Sequence, residues 1–233
     1  MELSDKAQKY CTRRRKYIIN EKAFDLVTDE SAYWVGFIMA DGCISYNYQA
    51  PSYAPRLRIN LKTCDIGHLD KLRTFLKYDG IIALRDNDRY CSLEITSGYL
   101  VQSLKRFGIT ERKSRSTSII GLDNNLHFWR GVIDGDGCLY KNKNGYPVLF
   151  LCGSEPLMNQ YADYLIKQGL VRRRPSVRNI KDIKQVTVNG KEATSAVDHF
   201  YENAGVSLER KQAIANNWRE QKIRVSGNMR DEG

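Results

Sequence analysis

The sequence predicts an α+β protein built as a tandem repeat of two αββαββα units in one chain, and three observations predict it. The segment Trp34-Val35-Gly36-Phe37-Ile38-Met39-Ala40-Asp41-Gly42-Cys43 recurs as Trp129-Arg130-Gly131-Val132-Ile133-Asp134-Gly135-Asp136-Gly137-Cys138, identical at six of ten positions and offset by 95 residues. Composition alone gives roughly one identity or fewer in ten. Phe107-Gly108-Ile109 followed by Glu111-Arg112-Lys113 returns as Ala204-Gly205-Val206 followed by Glu209-Arg210-Lys211, at nearly the same offset. Within each copy the hydrophobic period then switches between helical and extended spacing in the same order.

The elements follow in turn. Each ten-residue segment reads as a helix ended by glycine, Gly42 or Gly137, where a left-handed terminating residue is wanted. Residues 56–62 alternate without fault, with Leu57, Ile59 and Leu61 on one face and Arg56, Arg58, Asn60 and Lys62 on the other, which is a strand with a cationic face. Asp65 is placed to cap a helix carrying Ile66, Leu69, Leu72 and Leu76. Residues 81–85 and 89–96 read as strands around an Asp86-Asn87-Asp88 turn. Ser97 caps a helix with Leu100, Leu104 and Phe107 on one stripe and Gly108 as its terminator. The second copy repeats the plan, with strands near 147–152, 176–180 and 183–189, a helix from Ser154 to Gly169 and another ending at Gly205. This divides the chain into a basic arm (1–25), a first repeat (26–113), a Ser/Thr/Gly/Asn-rich linker (114–125), a second repeat (126–221) and a tail (222–233).

Composition narrows the function. The 233 residues carry 37 Lys and Arg against 27 Asp and Glu, a net charge of +10, which points to a polyanionic partner because clustered cations neutralise phosphates and release counterions. No stretch approaches 18 consecutive apolar residues and residues 1–5 lack the apolar core of a secretory signal, so no membrane span or secretion is expected. The expected setting is the cytoplasm of a prokaryote or phage host, or an organelle. The six cysteines form no Cys-x-x-Cys pair, so they read as reduced, mostly buried thiols. Three histidines leave little material for histidine-based hydrolysis, and carboxylates with a metal become the expected route of any enzyme.

The repeated segment has a physical logic. Gly36 and Ala40, and Gly131 and Gly135, are four apart and share a helix face, and small residues at that spacing let two helix backbones approach closely. Asp41 and Asp136 fall at the helix C-termini, where the macrodipole disfavours a carboxylate by about 0.3–1 kcal/mol. If the helices pair through their small faces, both acids converge, and concentrated negative charge calls for a cation. Mg²⁺ suits such a place, since it takes one or two carboxylates and fills its other positions with water and phosphate oxygens. Alternatively each acid merely turns the chain in an Asp-Gly bend. Two such acids inside one matched repeat favour the metal.

The paired segments resemble the LAGLIDADG homing endonuclease family in its single-chain, two-motif form, the nine-residue signature corresponding to Trp34–Gly42 and Trp129–Gly137 and the resemblance spanning roughly residues 26–220. The resemblance implies a monomeric, pseudo-twofold protein with the motif helices packed at its centre and antiparallel sheets forming a DNA-binding saddle. It implies that Asp41 and Asp136, with Ala40 and Gly135 beside them, hold Mg²⁺ and that both strands of a long asymmetric duplex are cut. Mn²⁺ or Ca²⁺ would substitute for Mg²⁺, with Ca²⁺ not supporting cleavage. The sixth motif position, often Asp, is Met39 in one copy and Asp134 in the other and is not the family's metal ligand. Lys113 and Lys211 resemble lysines near the family's active centre that stabilise phosphorane charge or polarise water, or else they are exposed structural lysines.

On this reading Arg56, Arg58, Asn60 and Lys62, with Arg85 and Arg89 of the next hairpin, face DNA in the first repeat. Gln185, Thr187 and Asn189 do so in the second, unless these are solvated strand faces. The basic run that includes Arg172, Arg173, Arg174, Arg178, Lys181 and Lys184 is the candidate for phosphate contact. Arg13-Arg14-Arg15-Lys16 is an arm over the duplex, a surface segment or part of an organelle address. Tyr46, Tyr48 and Tyr53 pack on sugars or bases, or anchor their loop. A second class of function on the same fold is a non-cleaving binder of nucleic acid, an intron RNA maturase or a transcriptional regulator.

Overall fold

A computed structural model describes residues 17–46, 55–111 and 117–228, with side chains to residue 221. The basic run 13–16, Tyr48, Tyr53 and Lys113 lie outside the described residues. The first unit comprises α1 (Asp29–Asp41), β1 (Gly42–Tyr46), β2 (Pro55–Lys62), α2 (Ile66–Phe75), β3 (Ile82–Arg85), β4 (Tyr90–Thr96) and α3 (Gly98–Lys105). The second comprises α4 (Leu126–Asp136), β5 (Gly137–Lys141), β6 (Pro147–Gly153), α5 (Glu155–Lys167), β7 (Arg178–Ile180), β8 (Ile183–Asn189) and α6 (Gly190–Tyr201), and α7 (Glu209–Asn228) follows. The predicted αββαββα order holds in both halves. Each half folds one antiparallel four-stranded sheet, in the orders β1-β2-β4-β3 and β5-β6-β8-β7.

Local chemistry explains where the helices start. Thr28 and Ser31 form a reciprocal capping box on α1, and the side chains of Ser97, Asn125 and Ser154 accept from Leu100, Phe128 and Leu157 backbone N–H groups at the starts of α3, α4 and α5. Asp65 precedes α2 as expected but makes no capping bond. Its carboxylate instead meets Arg210 of α7 at 3.1 Å, a tertiary partner outcompeting the local one. The three turn residues Asp86, Asn87 and Asp88 all take positive φ, which Asp and Asn tolerate. Gly108 ends the α3 segment at φ +93° as predicted, whereas α6 stops at Tyr201, four residues before Gly205.

The core centres on α1 and α4. Every residue of α1 from Ser31 to Met39 is buried, because one side meets its own sheet while the other meets α4. The two backbones touch: a Cβ built on Gly36 would lie 2.0 Å from the Phe128 carbonyl oxygen, and one on Gly131 would lie 2.1 Å from that of Tyr33. Matching contacts at matching heights make the helices parallel. Across their shared start, His127 approaches Asp29 at 3.2 Å.

Two sequence readings need correction here. Gly42 and Gly137 have extended backbone, φ −74° and −82°, so no left-handed residue is required. Glycine is needed for room, since a Cβ at either position would come within 2.6 Å of the carbonyl oxygen of Ile38 or Ile133 in the last helical turn. The thiols are also less buried than expected. Among the five described cysteines Cys91 is buried, Cys138 and Cys152 are partly covered, and Cys43 and Cys64 are exposed.

Candidate active site and nucleic-acid interface

The parallel packing of α1 and α4 brings the two motif acids to one end of the molecule. Both helices finish there, with Asp41 and Asp136 as their last residues. A Cβ added to Gly135 would fall 2.3 Å from the Ala40 Cβ and 3.2 Å from Asp41 Oδ2, so the first acid's carboxylate lies against the other motif. Asp136 is exposed and Asp41 partly so, although Asp134, two residues earlier, is fully buried. The place gathers two carboxylates and two negative helix ends, all hard oxygen donors.

That donor set fits a divalent ion that keeps much of its coordination for water and phosphate. Among the described residues no group of three or more His, Cys, Asp or Glu side chains is arranged to enclose a metal. A closed tetrahedral zinc site is therefore not what the side chains offer, whereas Mg²⁺ asks for only one or two carboxylates. The missing Cβ at Gly135 is what lets Ala40 and the Asp41 carboxylate pack this closely against the second motif.

Beneath this surface lies a buried polar network that sequence reasoning did not anticipate. Asp134 accepts from the hydroxyls of Tyr33 (2.7 Å) and Tyr201 (2.6 Å) and from the Leu208 backbone N–H (2.7 Å). Burial pushes its carboxyl up from the usual range, against the pull of these donors and of Lys211. Arg130, also buried, donates to the carbonyls of Val206 and Phe200 and lies over the Tyr33 ring. Asp134 therefore ties α1, α4, α6 and the start of α7 into one body. The signal was present in the departure from symmetry, since Met39 holds the matching place in the first motif.

Lys211 is buried, so it is not the exposed structural lysine that the sequence allowed. It is 2% exposed, and its Nζ donates to the carbonyl oxygens of Ile133 (2.6 Å), Asp134 (2.7 Å) and Gly137 (2.6 Å). An ammonium has three hydrogens, and here two go to the last turn of α4 and the third to Gly137, the first residue of β5. It is a cap delivered from α7, satisfying carbonyls that a helix end otherwise leaves open. Burial lowers its pKa to about 8, with Asp134 and Asp41 pulling the other way. Lys211 thus positions the end of α4 that carries Asp136.

His68 completes the network on the first-repeat side. The Tyr33 hydroxyl gives its hydrogen to Asp134, so its oxygen accepts from His68 Nε2 at 2.9 Å, leaving the neutral ring's buried Nδ1 without a partner. Burial, reinforced by Lys71, Arg210 and Lys211, lowers the His68 pKa to about 3. In the unfolded chain the ring titrates near 6.5, so the unfolded state takes up a proton that the fold refuses. Stability is full above that value and falls with pH, by about 2 kcal/mol at pH 5 for this residue. His127 and His199, also lowered chiefly by burial, act in the same direction. The urea midpoint should drop between pH 7 and pH 5 and drop less in His68→Gln. A midpoint flat over this range would refute the assignment.

The sheets flank the paired acids and turn one face outward. On the first sheet Arg56, Arg58, Asn60 and Lys62 share that face with Glu94 and Arg85, as the alternation predicts. One carboxylate organises it: Glu94 pairs with Arg56 at 3.0 Å and Arg58 at 2.9 Å, and Arg85 approaches at 3.8 Å. Arg89 is folded against Asp86 in the turn. Tyr46 binds Lys105 through its hydroxyl at 2.8 Å, which is the loop-anchoring alternative.

On the second sheet Gln185, Thr187, Asn189 and Arg178 fall on the outer face. Lys184 does not. It has the parity of buried Val186 and Val188 and pairs with Glu155 of α5 at 3.1 Å, so it belongs to the helix side. Arg174 is likewise folded back on α5 by Asp163 and Asn159, and the Arg172 backbone N–H is tied to Glu192. Arg172, Arg173 and Lys181 have exposed side chains. The basic run is thus split by partners that only the fold brings near.

Residues 34–115 match the sequence model of the LAGLIDADG endonuclease family. Among curated protein sequences none matches significantly. Solved structures match over nearly the whole chain. The LAGLIDADG meganuclease I-CpaMI bound to uncleaved DNA aligns with a TM-score of 0.61 at 11% identity, covering 89% of this chain and 96% of that one. I-AabMI bound to uncleaved DNA aligns with a TM-score of 0.60 at 14% identity, covering 88% and 92%. I-SmaMI bound to uncleaved DNA in the presence of calcium ions aligns at 0.54 and 12% identity, covering 87% and 93%. At such identities the likeness is one of fold. The first repeat is therefore similar in sequence to the LAGLIDADG endonuclease family, and the two repeats together have the fold of LAGLIDADG meganucleases.

Proposed function

We propose that this protein is a sequence-specific double-strand DNA endonuclease that uses a divalent metal, Mg²⁺ by preference, held by Asp41 and Asp136. The observation that carries the reading is the convergence of the two acids, one from each repeat, at the joined ends of α1 and α4. The DNA complexes of I-CpaMI and I-AabMI support duplex DNA as the partner.

Each part of the chain then has a task. The outer faces of the sheets carry side chains suited to base edges in a major groove, and Arg172, Arg173, Arg178 and Lys181 supply cations for the backbone. Asp41 and Asp136 would hold the metal, with the Ala40 and Gly135 backbone beside them. When bound, a divalent ion there would make water nucleophilic near neutral pH and offset charge on the scissile phosphate. Lys211 and the Asp134 network keep the two helix ends fixed relative to each other, so that both carboxylates address one duplex. A single chain with unlike halves suits an asymmetric site and a monomeric protein. An intron RNA would compete for the same cations. Mn²⁺ would substitute for Mg²⁺, whereas Ca²⁺ would support binding without cleavage.

Incubating the full chain with a randomised duplex library and Mg²⁺ tests this reading. Recovery of cleaved molecules sharing one long asymmetric sequence is expected. Recovery of a bound but uncut consensus would favour a non-cleaving regulator or maturase instead, and recovery of no consensus would overturn sequence-specific recognition.

A further inference from the structure

The two outer sheet faces differ in chemistry at matched positions. Aligning the strand ladders on Gly42 and Gly137 sets Arg56 opposite Val148, Arg58 opposite Phe150, and Arg85 opposite Ile180. Glu94, which holds those arginines, is matched by Thr187. Where the first sheet carries three guanidiniums, the second carries apolar side chains, of which Val148 is buried, Phe150 partly exposed and Ile180 exposed. Around them Tyr140 and Ile183 are 44% and 42% exposed, Ile180 is 43% exposed, and the Tyr140 and Phe150 rings lie 6.1 Å apart. The polar residues of this face are the amides Gln185 and Asn189, the hydroxyl of Thr187 and a single guanidinium, Arg178 on the edge strand β7.

Building on the proposed function, we propose that the two half-sites of the target are read by different chemistry. The first repeat reads guanine, and the second reads an A·T-rich half-site through thymine methyl groups and adenine edges. In the major groove an arginine pairs with guanine O6 and N7, Asn or Gln pairs with adenine N6 and N7, and the thymine C5-methyl is the one apolar feature a base presents. The cluster of Phe150, Ile180, Ile183 and Tyr140, flanked by the amides of Gln185 and Asn189, matches the thymine methyl and the adenine edge. The continuity of this face with the sheet edge at Asp136 favours DNA as its occupant, because Gly137, the next residue, begins β5.

The test uses the full chain in Ca²⁺ with the duplex selected from a randomised library, in which each thymine is replaced in turn by uracil and each guanine by 7-deazaguanine. Uracil removes only the methyl. Each buried methyl should cost about fourfold in affinity, from roughly 0.8 kcal/mol per group. These losses should cluster in one half-site, disappear in Phe150→Ala, and persist in Arg58→Ala. Deazaguanine losses should cluster in the other half-site and show the reverse dependence. Tyr140→Ala, an exposed position, repeats the test if Phe150→Ala does not fold. Uracil effects that are absent, or unchanged in both aromatic variants, would overturn the inference while leaving specific DNA recognition intact. So would aromatic variants that abolish a dimer in sedimentation without altering uracil sensitivity, since the face would then bind a second copy. Failure to select any consensus would overturn the proposed function and this inference together.

Discussion

Asp41→Asn and Asp136→Asn should each abolish double-strand cleavage, by roughly a thousandfold or more, while duplex affinity in Ca²⁺ stays within a fewfold of the parent. The exchange keeps size and shape and removes one of two charges at the junction of the motif helices. Metal stabilisation of a phosphoryl transition state is worth several kcal/mol, and each 1.4 kcal/mol is a factor of ten in rate. Binding is spared because it rests on the sheets and their cations, and because removing a carboxylate near phosphates relieves repulsion. Gel assays of cleavage in Mg²⁺ and of binding in Ca²⁺ separate the two effects. Undiminished cleavage by both variants would refute the metal assignment, and a parallel loss of binding would mean that the acids are structural.

Lys211→Met should destabilise the protein by about 3–5 kcal/mol, the range seen when one member of a buried charged set is removed. Methionine fills a similar volume, so the loss falls on interactions. Three carbonyl oxygens at the end of α4 lose their donor, and the buried Asp134 carboxylate loses its nearby positive charge. A domain with a total stability of about 5–15 kcal/mol would feel this as a large shift of the urea midpoint. The variant also separates the two roles of this lysine. A cap predicts lost stability, with activity lost only as far as the helix end moves, whereas a lysine acting on phosphate predicts unchanged stability and lost cleavage. An unchanged midpoint would overturn the capping role.

The tandem architecture was legible because identity at six of ten positions cannot be hidden by divergence elsewhere. The strand faces were legible too, since a period of two assigns Arg56, Arg58, Asn60 and Lys62 to one side whatever the rest of the chain does. The small residues Gly36, Ala40, Gly131 and Gly135 announced a close helix pair, and Asp41 and Asp136 followed as its ends. Caps formed within one turn, at Ser97 and Ser154, were equally visible.

What escaped was whatever depends on residues far apart in sequence. Local spacing could place Lys211 after a glycine turn, but its three carbonyl partners lie over 70 residues away. Glu94 appears in the chain as one acid among 27 acidic residues, and only strand pairing sets it between Arg56 and Arg58. Lys184 was misassigned within a basic run because charge along the chain ignores parity, and α5 supplied Glu155 on the helix side. Asp65 had a local capping role open to it and lost it to Arg210.

By itself the sequence determined the number of repeats, the periodicity of each element and the pair of acids, because these are set by neighbours a few residues apart. The tertiary structure alone decided which charges are spent inside the molecule and which remain for a partner. Burial and pairing are properties of the assembled surfaces, and a side chain's charge is available only where no distant residue has already claimed it.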